Sequence, residues 1–158
     1  MSIYMNIDGI TGNVSAAGHE NWIEVHSLNW GVGRGIMTAT GNVKDREASA
    51  PSISEVSVTK TMCPASPHLF TEACIGKGKT IQIHLVKTDA SNLETYMEYT
   101  LEDAVLSGYS VSSGGDRPTE SLSINFTKVE MKFIPWKDDG TKDSPIPAGY
   151  DLALGQKI

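Results

Sequence analysis

Ser113-Gly-Gly-Asp-Arg-Pro-Thr-Glu-Ser-Leu-Ser-Ile-Asn-Phe126 is the stretch that decides the fold. A glycine-rich turn leads into a charged corner, Arg117-Pro-Thr-Glu120. A strand follows whose apolar residues recur at every second position, Leu122, Ile124 and Phe126. Successive side chains of an extended chain point to opposite faces, so this period marks a strand with one face on a core. The same period recurs along the chain. Ile3, Met5 and Ile7 alternate with Tyr4, Asn6 and Asp8, and Ile23 and Val25 with Glu24 and His26. Val56 and Val58 alternate with Glu55, Ser57 and Thr59. Ile81, Ile83 and Leu85 alternate with Gln82, His84 and Val86. Met97, Tyr99 and Leu101 alternate with Glu98, Thr100 and Glu102, and residues 105–112 continue in this style. After Phe126 the phase flips to Val129, Met131 and Phe133, which predicts a bulge or a passage between two sheets near Thr127 and Lys128.

One helix interrupts the strands. Ser66 suits the N-cap, Pro67 the first turn and Gly76 the stop. Leu69, Phe70, Ala73 and Cys74 fall on one predicted apolar stripe. Seven or more short strands joined by Gly-, Ser- and Asp-rich turns predict a mainly β chain, a closed or nearly closed barrel or a sandwich. Residues 31–51 and 137–158 carry no apolar period and are expected as an irregular loop and tail. Loops longer than about 12–15 residues are usually functional or disordered. No tandem repeat is visible, so residues 1–158 are expected to form a single domain.

Composition narrows the function. A length of 158 residues suits one domain with a real core. A net charge of −6 argues against a phosphate-binding, nucleic-acid role. No apolar run approaches the roughly 20 residues of a membrane span. Met1-Ser-Ile-Tyr-Met-Asn-Ile-Asp8 has neither a basic nor an apolar leader region, so the chain is expected to begin in the cytoplasm. Cys63 precedes the predicted helix and Cys74 lies near its end, about 15 Å apart at about 1.5 Å per residue. A disulfide needs Cα atoms within roughly 7 Å, so two free, mostly buried thiols are expected.

Several motifs approach a chemistry and fall short. Gly76-Lys-Gly-Lys-Thr80 ends like a phosphate-binding loop, but Ala73 stands where the first glycine belongs. The order helix, turn, strand is also inverted. Gly31-Val-Gly-Arg-Gly35 approaches a dinucleotide fingerprint, but Ile36 takes the sixth position and no helix follows. Gly108-Tyr-Ser-Val-Ser112 lacks the strand-to-helix switch that would expose Ser110 as a nucleophile. His19, His26, His68 and His84 show no metal-ligand spacing; His26 and His84 are placed on a polar strand face. Trp22, Trp30 and Trp136 are not interleaved with basic residues and read as core or subunit-interface packing. No catalytic residue, cofactor site or metal site is expected.

Three segments together resemble the Hcp family, the tail-tube protein of bacterial type VI secretion. They are Trp22-Ile-Glu-Val25 with Asn29-Trp-Gly31, then Val58-Thr-Lys60 with Ser66-Pro-His-Leu69 and Glu72-Ala-Cys-Ile-Gly-Lys77, then the stretch 113–126. The resemblance covers about residues 3–150. It implies a small two-sheet β-barrel with one flanking α-helix and a long extended loop, about residues 31–52. It implies a homohexameric ring, rings stacked into a tube, and a sheath that expels the tube with its spike. The lumen would carry effector proteins. It implies no enzyme activity, no cofactor, no nucleic acid and no membrane insertion, and a bacterial cytoplasmic protein later secreted without a signal peptide. Under this resemblance Arg34, Asn42, Val43, Lys44, Asp45, Arg46 and Glu47 contact the adjacent ring, and Asn29 and Ser113 line the lumen. The competing reading is a monomeric β-barrel module that holds a small molecule or peptide in its mouth. A hydrolase built on Ser110, His84 and an acidic partner carries little weight.

Overall fold

The computed structural model describes residues 1–89 and 92–158, with the backbone alone for residues 39, 42–47 and 89. In chain order the elements are β1 (Ser2–Ile7), β2 (Ile23–Val25), β3 (Ser27–Asn29), β4 (Val32–Gly33), β5 (Ile36–Ala39), β6 (Asn42–Ala48), β7 (Ser52–Ile53) and β8 (Val56–Thr61). Then come α1 (Ser66–Ile75), β9 (Lys79–Asp89), β10 (Asn92–Ser112), β11 (Thr119–Asn125), β12 (Lys128–Phe133), β13 (Ile146–Asp151) and β14 (Gln156–Lys157). A larger antiparallel sheet runs β2-β1-β9-β10-β12-β13-β14, and a smaller one β10-β11-β8-β3.

Two joints close these sheets into a small barrel. At one side β10 belongs to both. Its register shifts between Leu101 and Ala104 and again between Leu106 and Gly108, and Asp103 takes a φ of +51°. Each shift adds local twist and bends the strand from one sheet into the other. Gly78 permits this bend, because a Cβ there would lie 1.8 Å from Asp103 Oδ1. At the other side the chain passes from β2 to β3 through His26, whose amide donates to the Thr59 carbonyl at 2.7 Å. The predicted phase flip is a third crossing. Phe126 is buried, Thr127 N donates to the Glu102 carbonyl at 3.2 Å, and the next strand belongs to the larger sheet.

The alternating apolar residues meet inside. Met5, Ile23, Val58, Leu69, Ile83, Leu101, Leu122 and Ile124 are fully buried. Each such side chain contributes about 1.5–3 kcal/mol through the apolar surface it removes from water. The phase slips at Tyr4, which is buried where Ile3 is only half so, and at Phe133, which is exposed; in β9 Val86 is buried and Leu85 only half so. Across from them the register of β10 slips between Thr95 and Met97, which turns the strand end over.

Several expectations need correction. Residues 31–51 are not an irregular loop. β4 pairs with β7 and β5 with β6, so the chain leaves the barrel as a β-ribbon arm and returns. Residues 137–158 are not an irregular tail, because β13 pairs with β12 and β14 with β13. The helix begins at Ser66, with Ala65 as N-cap and no side-chain cap bond, since a buried carboxylate takes the Ser66 hydroxyl. The stripe is narrower than predicted: Leu69 is buried but Phe70 and Cys74 are exposed. Cys63 is half-buried, so the thiols are free but not mostly buried. Among the described residues no helix is long and apolar enough to cross a membrane.

Candidate assembly surfaces

The first site is a buried polar knot under α1. Lys60 and Glu120 are fully buried and form an ion pair. Both occupy the inward phase of their strands, Lys60 after Val56 and Val58, Glu120 before Leu122 and Ile124. The Ser66 hydroxyl donates to Glu120 Oε1 at 2.7 Å and accepts from the Cys63 amide at 3.0 Å. Tyr109 donates its hydroxyl to the second carboxylate oxygen, and Lys60 Nζ also donates to the Thr61 carbonyl at 2.9 Å. Burial pushes the Glu120 carboxyl up, but bonds from Lys60, Tyr109 and Ser66 and the Lys60 charge outweigh it and hold it below 4.5. Burial, then the bond to Glu120, pushes the Tyr109 phenol up to about 12. The knot ties β8, β10, β11 and α1 together. Arg117 closes the corner above it, donating from Nε to the Met62 carbonyl at 2.9 Å.

The second site is the outward face of the smaller sheet. Its register sets Ser27, Thr59, Ser121 and Ser110 in one row across four strands. Asn29, Ser57, Ser123 and Gly108 form the next row. Thr61, Thr119 and Ser112 form a third. Ser27 and Thr59 share a hydrogen bond of 2.5 Å, and His26 Nε2 lies 2.5 Å from the Thr61 hydroxyl. No charged side chain stands in these rows. Glu55 sits at one end of the sheet, bonded by Ser107 at 2.8 Å and Asn125 at 3.4 Å, and Arg117 sits at the other.

The larger sheet turns an opposite chemistry outward. There the register sets His84, Glu98 and Lys132 in a row, and Lys132 pairs with Glu98 at 2.8 Å. Lys128 bridges Glu130 at 3.3 Å and Glu102 at 3.5 Å. At the β1 side of this sheet, the chain between β1 and β2 packs His19 against Tyr4, Trp22 and His84. His19 Nε2 lies 3.0 Å from His84 Nδ1. Burial is the largest influence on both rings and lowers both below 6.5.

The third site is the arm. Ser54 returns to its base, where its amide donates to the Gly31 carbonyl and its hydroxyl accepts from the Gly31 amide, each at 2.8 Å. Among the described residues β5 and β6 pair only with each other. The arm leaves Val32, Ile36 and Met37 exposed.

A barrel with this arm and helix has known counterparts. A family model described as "Type VI secretion system effector, Hcp" matches residues 4–133. The chain belongs to the Hcp family of type VI secretion. Among curated proteins it is 30% identical over 105 residues to protein hcp1 of Pseudomonas aeruginosa, a match spanning 64% of this chain and 65% of that protein. Among solved structures, one titled as that of a type six secretion system protein superposes with a TM-score of 0.88 at 25% identity over 99% of each chain. Hcp1 from Salmonella typhimurium superposes with a TM-score of 0.76 at 25% identity, over 99% of this chain and 98% of that one.

In this Hcp chain the motif residues read from the sequence converge on the knot. Lys60, Ser66 and Glu120 come from the segments that carry the resemblance; the sequence marks Ser66 only as a helix cap and gives Lys60 and Glu120 no role. A signal existed, because a charge in the buried phase of a strand needs a partner. Asn29 ends β3 on the hydroxyl face, paired opposite Ser57. Ser113 lies just past β10, exposed, with its hydroxyl donating to the Asp116 carbonyl at 3.3 Å inside the glycine turn. The two therefore stand at opposite ends of the smaller sheet. Arg34 is exposed between β4 and β5. Asn42, Val43, Lys44, Asp45, Arg46 and Glu47 lie on β6, and their side chains lie outside the described residues. His26 is exposed as expected, and His84 stands on the polar face as expected, in the row with Glu98 and Lys132, where His19 and Trp22 half-bury it.

Proposed function

We propose that this chain is the tube subunit of a type VI secretion system, assembling as a hexameric ring whose rings stack into an expelled tube. The observation that carries the reading is the uncharged hydroxyl face of the smaller sheet. Turned toward a channel, it offers a passing protein hydrogen-bonding groups without fixed charge, so nothing binds tightly enough to stop transit. Asn29 belongs to that lining, and Ser113 stands at its rim. The ion-paired face of the larger sheet then faces outward, toward the sheath. The arm, with Arg34 and Asn42, Val43, Lys44, Asp45, Arg46 and Glu47, makes the contact between rings. The role is mechanical, with effectors held in the lumen, the spike at the tip and no catalytic step.

Static light scattering after gel filtration tests the ring. Six copies of a 17.0 kDa chain are expected. A monomer at all concentrations up to high micromolar would sink the proposal.

A further inference from the structure

Residues 11–22 join β1 to β2 and fold back as a strap onto the outward face of the larger sheet. The strap's backbone hydrogen bonds run within itself, from the Gly12 amide to the Asn21 carbonyl at 2.7 Å, from Val14 to Trp22 at 3.1 Å and from Asn21 to Val14 at 2.8 Å. Among the described residues, its one side-chain hydrogen bond to a strand is the 3.0 Å contact of His19 Nε2 with His84 Nδ1. Stacking completes the seat. His19 lies 5.1 Å from Tyr4 and Trp22 4.6 Å from His84, centroid to centroid.

This seat is satisfied only when both imidazoles are neutral. His19 is 7% exposed, and its Nδ1 is buried with no hydrogen-bond partner. The Ala17 carbonyl favours a proton there without reaching bonding geometry. A cationic ring carries a hydrogen on each nitrogen, so charging His19 strands a buried donor. The neutral tautomer with its hydrogen on Nε2 donates to His84 Nδ1 and strands none. His84 then carries its own hydrogen on Nε2, which faces Glu98 at 3.9 Å. With both rings charged, two N–H groups and two positive charges meet across the 3.0 Å contact.

The surrounding charges do not rescue that state. The row across the sheet holds Glu24 on β2, Tyr4 on β1, His84 on β9, Glu98 on β10 and Lys132 on β12. Glu98 faces His84, but Lys132 holds its carboxylate at 2.8 Å. On the strap, Glu20 attracts a proton to His19 while its Oε1 accepts from the Gly18 amide at 3.1 Å. Burial outweighs these carboxylates and lowers both rings below 6.5. A released strap returns both rings to solvent, so below pH 6.5 the released form binds more protons. The seat is complete above that pH and is lost as the pH falls through it toward the folded values.

We propose that the His19–His84 pair is an acid-sensitive latch, whose protonation frees the strap from the larger sheet and uncovers Tyr4 and Trp22 while the barrel stays folded. The core residues Met5 and Ile83 lie on the opposite face of the same strands and take no part in it. In the proposed tube this is the outward face, so acid changes the surface presented there without breaking the wall. The latch works within one chain and does not depend on the ring.

Hydrogen exchange of the intact chain, read by mass spectrometry and corrected for the intrinsic effect of pH, tests it. From pH 7.5 to 5.5, protection in residues 12–22 is expected to fall about tenfold or more, while residues 119–126 keep theirs. His19→Gln keeps a side-chain N–H donor and cannot charge, so its strap is expected to stay protected at pH 5.5. His84→Gln is expected to reduce the loss. In the unmodified chain, the His19 and His84 ring resonances in NMR are expected to titrate together with strap opening. That titration decides the matter where a variant fails to hold the strap even at pH 7.5. Equal loss in the strap and in residues 119–126, no loss in either, a loss that persists in both variants, or rings that stay neutral while the strap opens would overturn the latch.

Discussion

His19 and His84 show how two side chains 65 residues apart set a pH dependence. Burial lowers both rings; for His19 it outweighs the Ala17 carbonyl and the Glu20 and Glu98 carboxylates, and for His84 it outweighs Glu98 and is reinforced by His19 and Lys132. The unfolded chain titrates near 6.5, so below that pH it binds protons that the folded chain resists. Stability is therefore complete above pH 6.5 and falls as the pH drops through it. Urea midpoints at pH 7.5, 6.5 and 5.5 are expected to decline in that order, and the His19→Gln, His84→Gln double variant to flatten the decline. Glu120 adds a second, more acidic loss. Its depressed pKa contributes stability above 4.5 that disappears as the pH falls through the folded value. Removing its charge at neutral pH leaves Lys60 buried without a partner. Glu120→Ala is expected to cost about 3–5 kcal/mol by chemical denaturation. The paired change Lys60→Met with Glu120→Leu is expected to recover most of it, since an apolar pair avoids the desolvation of two ions.

Among elements, the arm and the helix differ in what holds them. The arm's β5 and β6 are tied to each other and not to the barrel sheets. Replacing residues 36–48 with a short Gly-Ser link is expected to leave the melting temperature of the barrel within about 2 °C while abolishing the stacking of rings, read in light scattering as the loss of every species larger than six copies. A matching drop in melting temperature would show that the arm supports the core. The helix, by contrast, is bound through Leu69 and Ser66 to the buried knot. Gly78 after it leaves no room for a side chain beside Asp103. Gly78→Ala is expected to cost about 1–3 kcal/mol, the usual range for overpacking.

At the scale of the whole molecule, the two sheet faces separate charge from hydroxyl. If the hydroxyl face lines a channel, one new charge per subunit becomes a ring of like charges around a confined space. Ser121→Lys is then expected to weaken ring assembly at low salt, with recovery as the Debye length shrinks from about 10 Å at 0.1 M to about 3 Å at 1 M. Sedimentation velocity across that salt series measures it. An assembly indifferent to both the substitution and the salt would place Ser121 elsewhere.

Period-two alternation was enough to assign most barrel strands, because which face of a strand is apolar is a local property of neighbouring residues. The order of Gly, Pro and Ser marked α1 to within one residue, and the resemblance of three segments was enough to point to the family. The arm and the C-terminal strands look irregular in sequence because their side chains carry no apolar period. What makes them strands is backbone pairing with partners such as β12, and pairing leaves no trace in composition. The knot, the His19–His84 contact and the hydroxyl rows were equally out of reach. Each joins residues from strands distant in sequence, and the register of those strands is set by where β10 bends, a property of the closed barrel and not of any one segment.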